Sequence, residues 1–141
     1  MERWVFYAII SMLFAGITSV LAKFGMKDLS SDTALTVRTA VVFGIVVINA
    51  FVFRNAYQEL QQSAGKNFLF LALSGLTTSL SWIFYYRAMK EGPVSFVASI
   101  DKASIVVTLI LSFIILREPM TPKVMFGAGL IFSGMLVLVW K

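Results

Sequence analysis

Five apolar stretches dominate this chain, at 4–24, 33–53, 67–86, 95–116 and 124–140, and each is about as long as a bilayer is thick. A helix needs about 20 mostly apolar residues to cross roughly 30 Å of hydrocarbon. No water satisfies backbone N–H and C=O groups in that layer, so a spanning segment must bond them within itself, as a helix does. The fold class that follows is an all-α polytopic membrane protein with five transmembrane helices. Composition agrees: 59% of the 141 residues are hydrophobic and 13% charged, where soluble domains run near 45–50% and about 25%.

The connections "GMKDLSSD", "RNAYQELQQSAGK", "RAMKEGP" and "REPMTPK" hold charges together with Gly, Pro, Ser or Asn, which suits helix ends in water. Ser31 or Asp32 can cap the second helix. Pro93 and Pro119 fall just outside helices, where a missing N–H costs least. The first apolar run is too long for a signal-peptide core and no small-residue cleavage site follows it, so it reads as a retained helix. No soluble domain is left over, and residues 1–141 read as a single transmembrane domain.

Five spans is an odd number, which places the two termini on opposite sides of the bilayer. Orientation then rests on loop lysines and arginines. Arg3, Arg54, Lys66, Arg117 and Lys123 lie on the N-terminal side; Lys27, Arg87, Lys90 and Lys141 lie on the other, joined by Lys23 at the end of the first span. The count is nearly tied. Either one orientation is weakly encoded, or copies insert both ways and pair antiparallel.

Between helices in lipid there is no hydrophobic force, so small residues and polar contacts hold a bundle together. Ser11, Ala15, Ser19 and Lys23 share a face of the first span, and Ser95, Ser99 and Ala103 share one of the fourth. The fifth carries Gly127, Gly129, Ser133 and Gly134 and no charge within the span, which marks it for helix packing or a dimer contact. Two further stripes are hydroxylic. Ser74, Thr78, Ser81 and Tyr85 lie at i, i+4, i+7 and i+11 on the third span, and Asp101, Ser104, Thr108 and Ser112 run along the fourth. Hydroxyls can bond their own helix, yet two stripes on consecutive helices are what a polar cavity needs. Trp82, Tyr85 and Tyr86 adjoin that face, as an interfacial aromatic belt or as part of a substrate pocket.

Ionisable residues at membrane depth cost about 2.5–3.5 kcal/mol each even on the lenient insertion scale. Lys23, Arg38, Asp101 and Lys102 are such residues, and Arg87 stands at a helix end. Tracing the chain back and forth puts all five toward the side opposite the N-terminus, as one cluster at one mouth. Asp101 is the only acid among them, so pairing with Lys23, Arg38 or Arg87 is expected. The cluster is a structural ion-pair site with snorkelling bases, or a gate. Its positive bias favours carboxylates and zwitterions over organic cations.

The chain has no cysteine and no histidine. That removes disulfides, thiolate metal sites and the side chain that titrates most readily near neutral pH. No nucleophile–base pair, metal-ligand cluster or phosphate-binding glycine loop is present, so neither enzyme chemistry nor a cofactor or metal is implied. The formal charge of +5 comes from single bases flanking apolar runs, which points to lipid headgroups and away from nucleic acid.

"GPVSFVASIDKASIVVTLILSFIILREPMT", followed by "FGAGLIFSGMLVL", resembles the C-terminal part of an EamA domain of the drug/metabolite transporter superfamily. "LAKFGM" closing the first span, Arg38 early in the second and "SWIFYYRAMKEG" ending the third extend the resemblance over essentially the whole chain. It implies a multi-pass solute transporter of the bacterial inner membrane. Family members usually carry two such domains as inverted repeats around a central cavity; here there is one. An inverted-repeat transporter needs both halves to form its midplane site, so a second copy in the opposite orientation is expected to supply the other.

The function expected from these readings is export or facilitated movement of amino-acid-like or other small metabolites by a dual-topology antiparallel homodimer. Asp101 with Lys23 or Arg38 would gate it. Ser74, Thr78, Ser81, Trp82, Tyr85, Ser104 and Thr108 would line the cavity. Two alternatives remain open: a small multidrug cation exporter, and a non-transporting or lipid-linked-sugar flippase subunit that needs a different partner. A cation exporter wants a midplane carboxylate, and only Asp101, with Lys102 beside it, is available. Arg117 and Glu118 after the fourth span read as a loop anchor.

Overall fold

The computed structural model describes residues 3–53 and 65–140. Among them there is no strand: the chain is α1 (Arg3–Gly25), α2 (Ser31–Phe53), α3 (Gly65–Glu91), α4 (Val94–Lys102), α5 (Ser104–Leu111), a π-helical turn (Ser112–Leu116) and α6 (Pro122–Val139). Four stretches are long and apolar enough to span a bilayer, at Arg3–Gly25, Ser31–Val52, Asn67–Glu91 and Val94–Leu116. The last helix has 18 residues and so rises about 27 Å, at the short end of what a bilayer accepts. The protein is an all-α polytopic membrane protein. The expected connection at 54–66 falls for the most part outside the described residues, as do Arg54 and Lys141.

Two units are distinguished, Met1–Glu91 and Gly92–Lys141. In the first, α2 packs along α3, and three side chains are buried: Met26, Tyr86 and Met89. They lie at the C-terminal ends of α1 and α3. Most other described apolar side chains of this unit are exposed, as side chains are where the solvent is hydrocarbon, with Leu35, Val42, Val47, Trp82 and Ile83 among the half-buried ones. In the second unit, α4 and α5 each contact α6.

The helix ends depart from expectation in instructive ways. The second helix is capped by Ser30, whose Oγ accepts from the Thr33 N–H at 3.2 Å, and not by Ser31 or Asp32. Asp32 instead sits in the first turn of α2, where an acid complements the helix dipole. The third helix runs on through "RAMKE" to Glu91, because those residues are good helix formers; Pro93 then stops it by disfavouring α geometry before itself. Pro122 is the first residue of α6, with Thr121 accepting from the Val124 N–H as the cap.

The fourth span is not one helix. It breaks at Ala103, whose N–H bonds the Ile100 carbonyl at 2.9 Å while the Val106 N–H bonds the Ala103 carbonyl at 3.0 Å. Both are i→i−3 bonds, the tighter 3₁₀ pattern. Asp101 and Lys102 are therefore the last two residues of α4, and Ser104 opens α5. The π-helical turn ends at Arg117, which adopts a left-handed conformation (φ 55°, ψ 31°). The Glu118 N–H then reaches back to the Ser112 carbonyl at 3.3 Å, a helix-end closure made one residue wider by the π turn.

Candidate functional site

The charged residues of the first unit gather where α1 ends, α2 begins and α3 ends. Lys23 on α1 donates to the Met89 carbonyl on α3. Lys90 on α3 donates in return to the carbonyls of Met26, Leu29 and Lys27, at 2.6, 2.8 and 3.4 Å. A cation is favoured at a helix C-terminus, where several carbonyls have no partner within the helix.

Arg38 lies one element over. Its guanidinium carbon sits 4.4 Å from the centroid of the Trp82 ring and 5.6 Å from that of Tyr86. Both distances are in cation–π range, and Tyr86 is buried. Tyr85, one residue along α3, turns toward α1 and lies 3.0 Å from Ser19 Oγ. Ser19 also donates to the Ala15 carbonyl, and a hydroxyl has one hydrogen, so the Tyr85 phenol is the donor in the pair. The small-residue face of α1 thus takes the Tyr85 hydroxyl.

Arg87 meets Asp32 through two parallel contacts, Nε to Oδ1 at 3.4 Å and Nη2 to Oδ2 at 3.5 Å. This is an ion pair of the first unit. It closes one end of a groove of about 720 Å³ between α2 and α3. Thr36, Thr39 and Phe43 continue one wall from Asp32, and Ser79, Trp82 and Ile83 continue the other from Arg87. A smaller groove of about 360 Å³ lies toward α1, lined in part by Thr18, Ala22, Val37, Arg38 and Tyr86. The Arg38–Trp82–Tyr86 stack contributes to the walls of both.

Of the residues expected around a cavity, Trp82 lines the larger groove. Ser74 is engaged by its carbonyl, which accepts from Thr77 and Thr78 at 2.9 and 2.8 Å. Ser81 is exposed. Asp32, Thr36 and Thr39 are the additions that sequence reading missed, although Asp32, Thr36, Thr39 and Phe43 stand at i, i+4, i+7 and i+11, the spacing that picks out the hydroxyl stripe on the third span. In the second unit Asp101 pairs with its neighbour Lys102, Oδ2 to Nζ at 3.5 Å; Ser104 and Thr108 are exposed on α5. Gly127, Gly129 and Gly134 have open space where a Cβ would stand. Among the described residues no three carboxylates gather as a metal site would require.

Comparison with known proteins agrees with a chain of apolar spans. The family of EamA-like transporters matches residues 2–140. The chain belongs to that family. An uncharacterized transporter in the cobO 3' region of Sinorhizobium sp. is 39% identical over 138 residues, covering 97% of this chain and 96% of the relative. No solved structure matches the chain. As an EamA-like transporter the protein is a multi-pass membrane protein for small solutes.

Proposed function

We propose that this EamA-like transporter exports or facilitates movement of amino-acid-like solutes across a bacterial cytoplasmic membrane, working by alternating access as an antiparallel homodimer of copies inserted both ways. The observation that carries the reading is that one EamA-like unit accounts for residues 2–140. Inverted-repeat transport needs two such units in opposite orientation. The near-tie of loop bases allows both insertions of the same sequence. The uncovered glycine face of α6 leaves room for a close helix contact of the kind small residues allow.

In this scheme residues 1–141 act as one repeat unit, and each charged mouth occurs twice, related by a two-fold axis in the membrane plane. Asp101 and Lys102, at the break in the fourth span, are the movable part of the gate, because an irregular turn bends more readily than a continuous helix. The carboxylate of Asp101 would exchange Lys102 for a base of the cluster as the mouth closes.

The test is a pair of reporter fusions, one at each terminus, combined with uptake into liposomes reconstituted with the purified chain alone. Dual insertion gives cytoplasmic and external populations for both ends, and the homodimer is active without a second gene product. A single clean orientation, or uptake that requires another protein, would remove the second half of the transporter as proposed.

A further inference from the structure

We propose that Asp32 and Arg87 form an exchangeable ion pair that recognises the substrate as an apolar α-amino acid, Asp32 taking the ammonium and Arg87 the carboxylate. This rests on the transporter reading and adds to it the residues that read the substrate's head group.

Three observations meet at this pair. First, its geometry is loose. Charge-assisted N–H···O bonds settle near 2.7–2.9 Å, whereas these are 3.4 and 3.5 Å, and the Arg87 and Asp32 side chains are 54% and 64% exposed. Exposed pairs of this kind stabilise a fold very little. Each partner also has a second source of support: Asp32 lies in the first turn of α2 and Arg87 near the C-terminus of α3, where the helix dipoles favour their respective charges. Separating them is therefore cheap. The two parallel contacts show that the guanidinium already presents its fork, the geometry that takes a carboxylate bidentately.

Second, the pair stands at the end of the open 720 Å³ groove and lines it. Beyond it the groove is mostly apolar, with Phe43 and Trp82 on facing walls. A ligand with both charges at one end and a hydrocarbon body fits this polarity, whereas a sugar or an extended dianion does not.

Third, the hydroxyls that line the groove are turned to accept. Thr36 donates to the Asp32 carbonyl, Thr39 to that of Leu35 and Ser79 to that of Gly75, all at 2.8–2.9 Å. Their hydrogens are used within their own helices, which leaves oxygen lone pairs toward the groove. The Thr36 oxygen, one helical turn from Asp32, is then an acceptor that suits an ammonium group.

The test uses three probes of one carbon skeleton, leucine, 4-methylpentanoate and 3-methylbutylamine, and measures their binding to the full chain in nanodiscs. Wild type is expected to bind leucine at least about tenfold more tightly than either half-charged analogue. Asp32→Asn should lose that advantage over 4-methylpentanoate while binding of the acid itself is kept; Arg87→Gln should lose it over 3-methylbutylamine while binding of the amine is kept. The double variant Asp32→Asn/Arg87→Gln carries no orphaned charge and should melt as wild type does, with no preference for leucine. Equal binding of all three probes to wild type, or undiminished leucine binding by both single variants, would overturn the assignment. Leucine bound with these dependences but not carried into liposomes would uphold it and remove the transport reading. Liposome uptake of some other solute by a chain that ignores leucine would do the reverse.

Discussion

Lys23 and Lys90 bind each other's helix ends: the α1 lysine donates to the Met89 carbonyl near the end of α3, and the α3 lysine donates to the carbonyls of Met26, Lys27 and Leu29 that follow α1. The exchange joins two helices 66 residues apart in sequence at the point where Met26, Tyr86 and Met89 form the buried core. It satisfies carbonyls that a helix leaves without partners.

Lys90→Met should therefore destabilise the first unit by about 1 kcal/mol, the net worth of its hydrogen bond to the part-buried Met26 carbonyl, since the other two contacts are exposed to solvent. Lys27→Met is the control, because Lys27 is exposed and lends only its carbonyl to the contact. Thermal or denaturant unfolding in detergent micelles compares them. Equal losses in the two variants would mean that charge near the membrane surface matters, and not the three carbonyls.

Arg38 and Trp82 should be energetically coupled. A guanidinium over an indole contributes about 0.5–1 kcal/mol where exposed and about 2 kcal/mol where desolvated. A double-mutant cycle of Arg38→Gln and Trp82→Leu is expected to return a coupling within that range, and Arg38→Lys to recover only part of it, since an ammonium lacks the planar stack. A coupling near zero would assign Arg38 to solvent or lipid and free it for the gate.

How far the sequence carries toward this structure depends on the range of the interaction concerned. Long apolar runs declare membrane helices because length and polarity are local properties. The end of α3 is less visible, because "RAMKE" is polar yet helix-forming, and polarity alone makes it resemble a loop. The break at Ala103 is hidden altogether: alanine is the best helix former, and no Pro or Gly marks the spot. The partner of Arg87 is hidden for another reason. Asp32 stands 55 residues away and reads as a cap from its place ahead of an apolar run, while the acid that looks isolated, Asp101, has Lys102 beside it. Trp82 lines the groove between α2 and α3, where spacing alone leaves it open between an interfacial belt and a groove wall. Tyr85 shares the stripe but turns to Ser19, and spacing cannot tell these two directions apart.

Arg117 offers a test of the end of the fourth span. A left-handed conformation costs a side-chain-bearing residue roughly 1–2 kcal/mol, a cost glycine avoids. Arg117 occupies that conformation with φ 55°. Arg117→Gly and Arg117→Ala remove the same charge, so their difference isolates the backbone. The glycine variant should be the more stable by about 1 kcal/mol in unfolding from micelles. If alanine equals or exceeds glycine, the wide helix closure through Glu118 and Ser112 is not the conformation in solution.

Gly134→Leu separates the packing of one chain from the packing of two. Among the described residues, apart from the helix's own nearby backbone, nothing lies within 4 Å of where a Cβ at this position would stand, so a side chain has room to start here, and leucine raises helix propensity over glycine. Helix content and the melting of dilute, monomeric protein should be unchanged or slightly improved. If α6 forms the contact between antiparallel copies, the same leucine obstructs the close approach that small residues permit. Cross-linking in membranes should then fall at least about tenfold, with transport falling in parallel. Normal cross-linking would move the dimer contact to another helix; lost helix content would mean that α6 packs against its own chain.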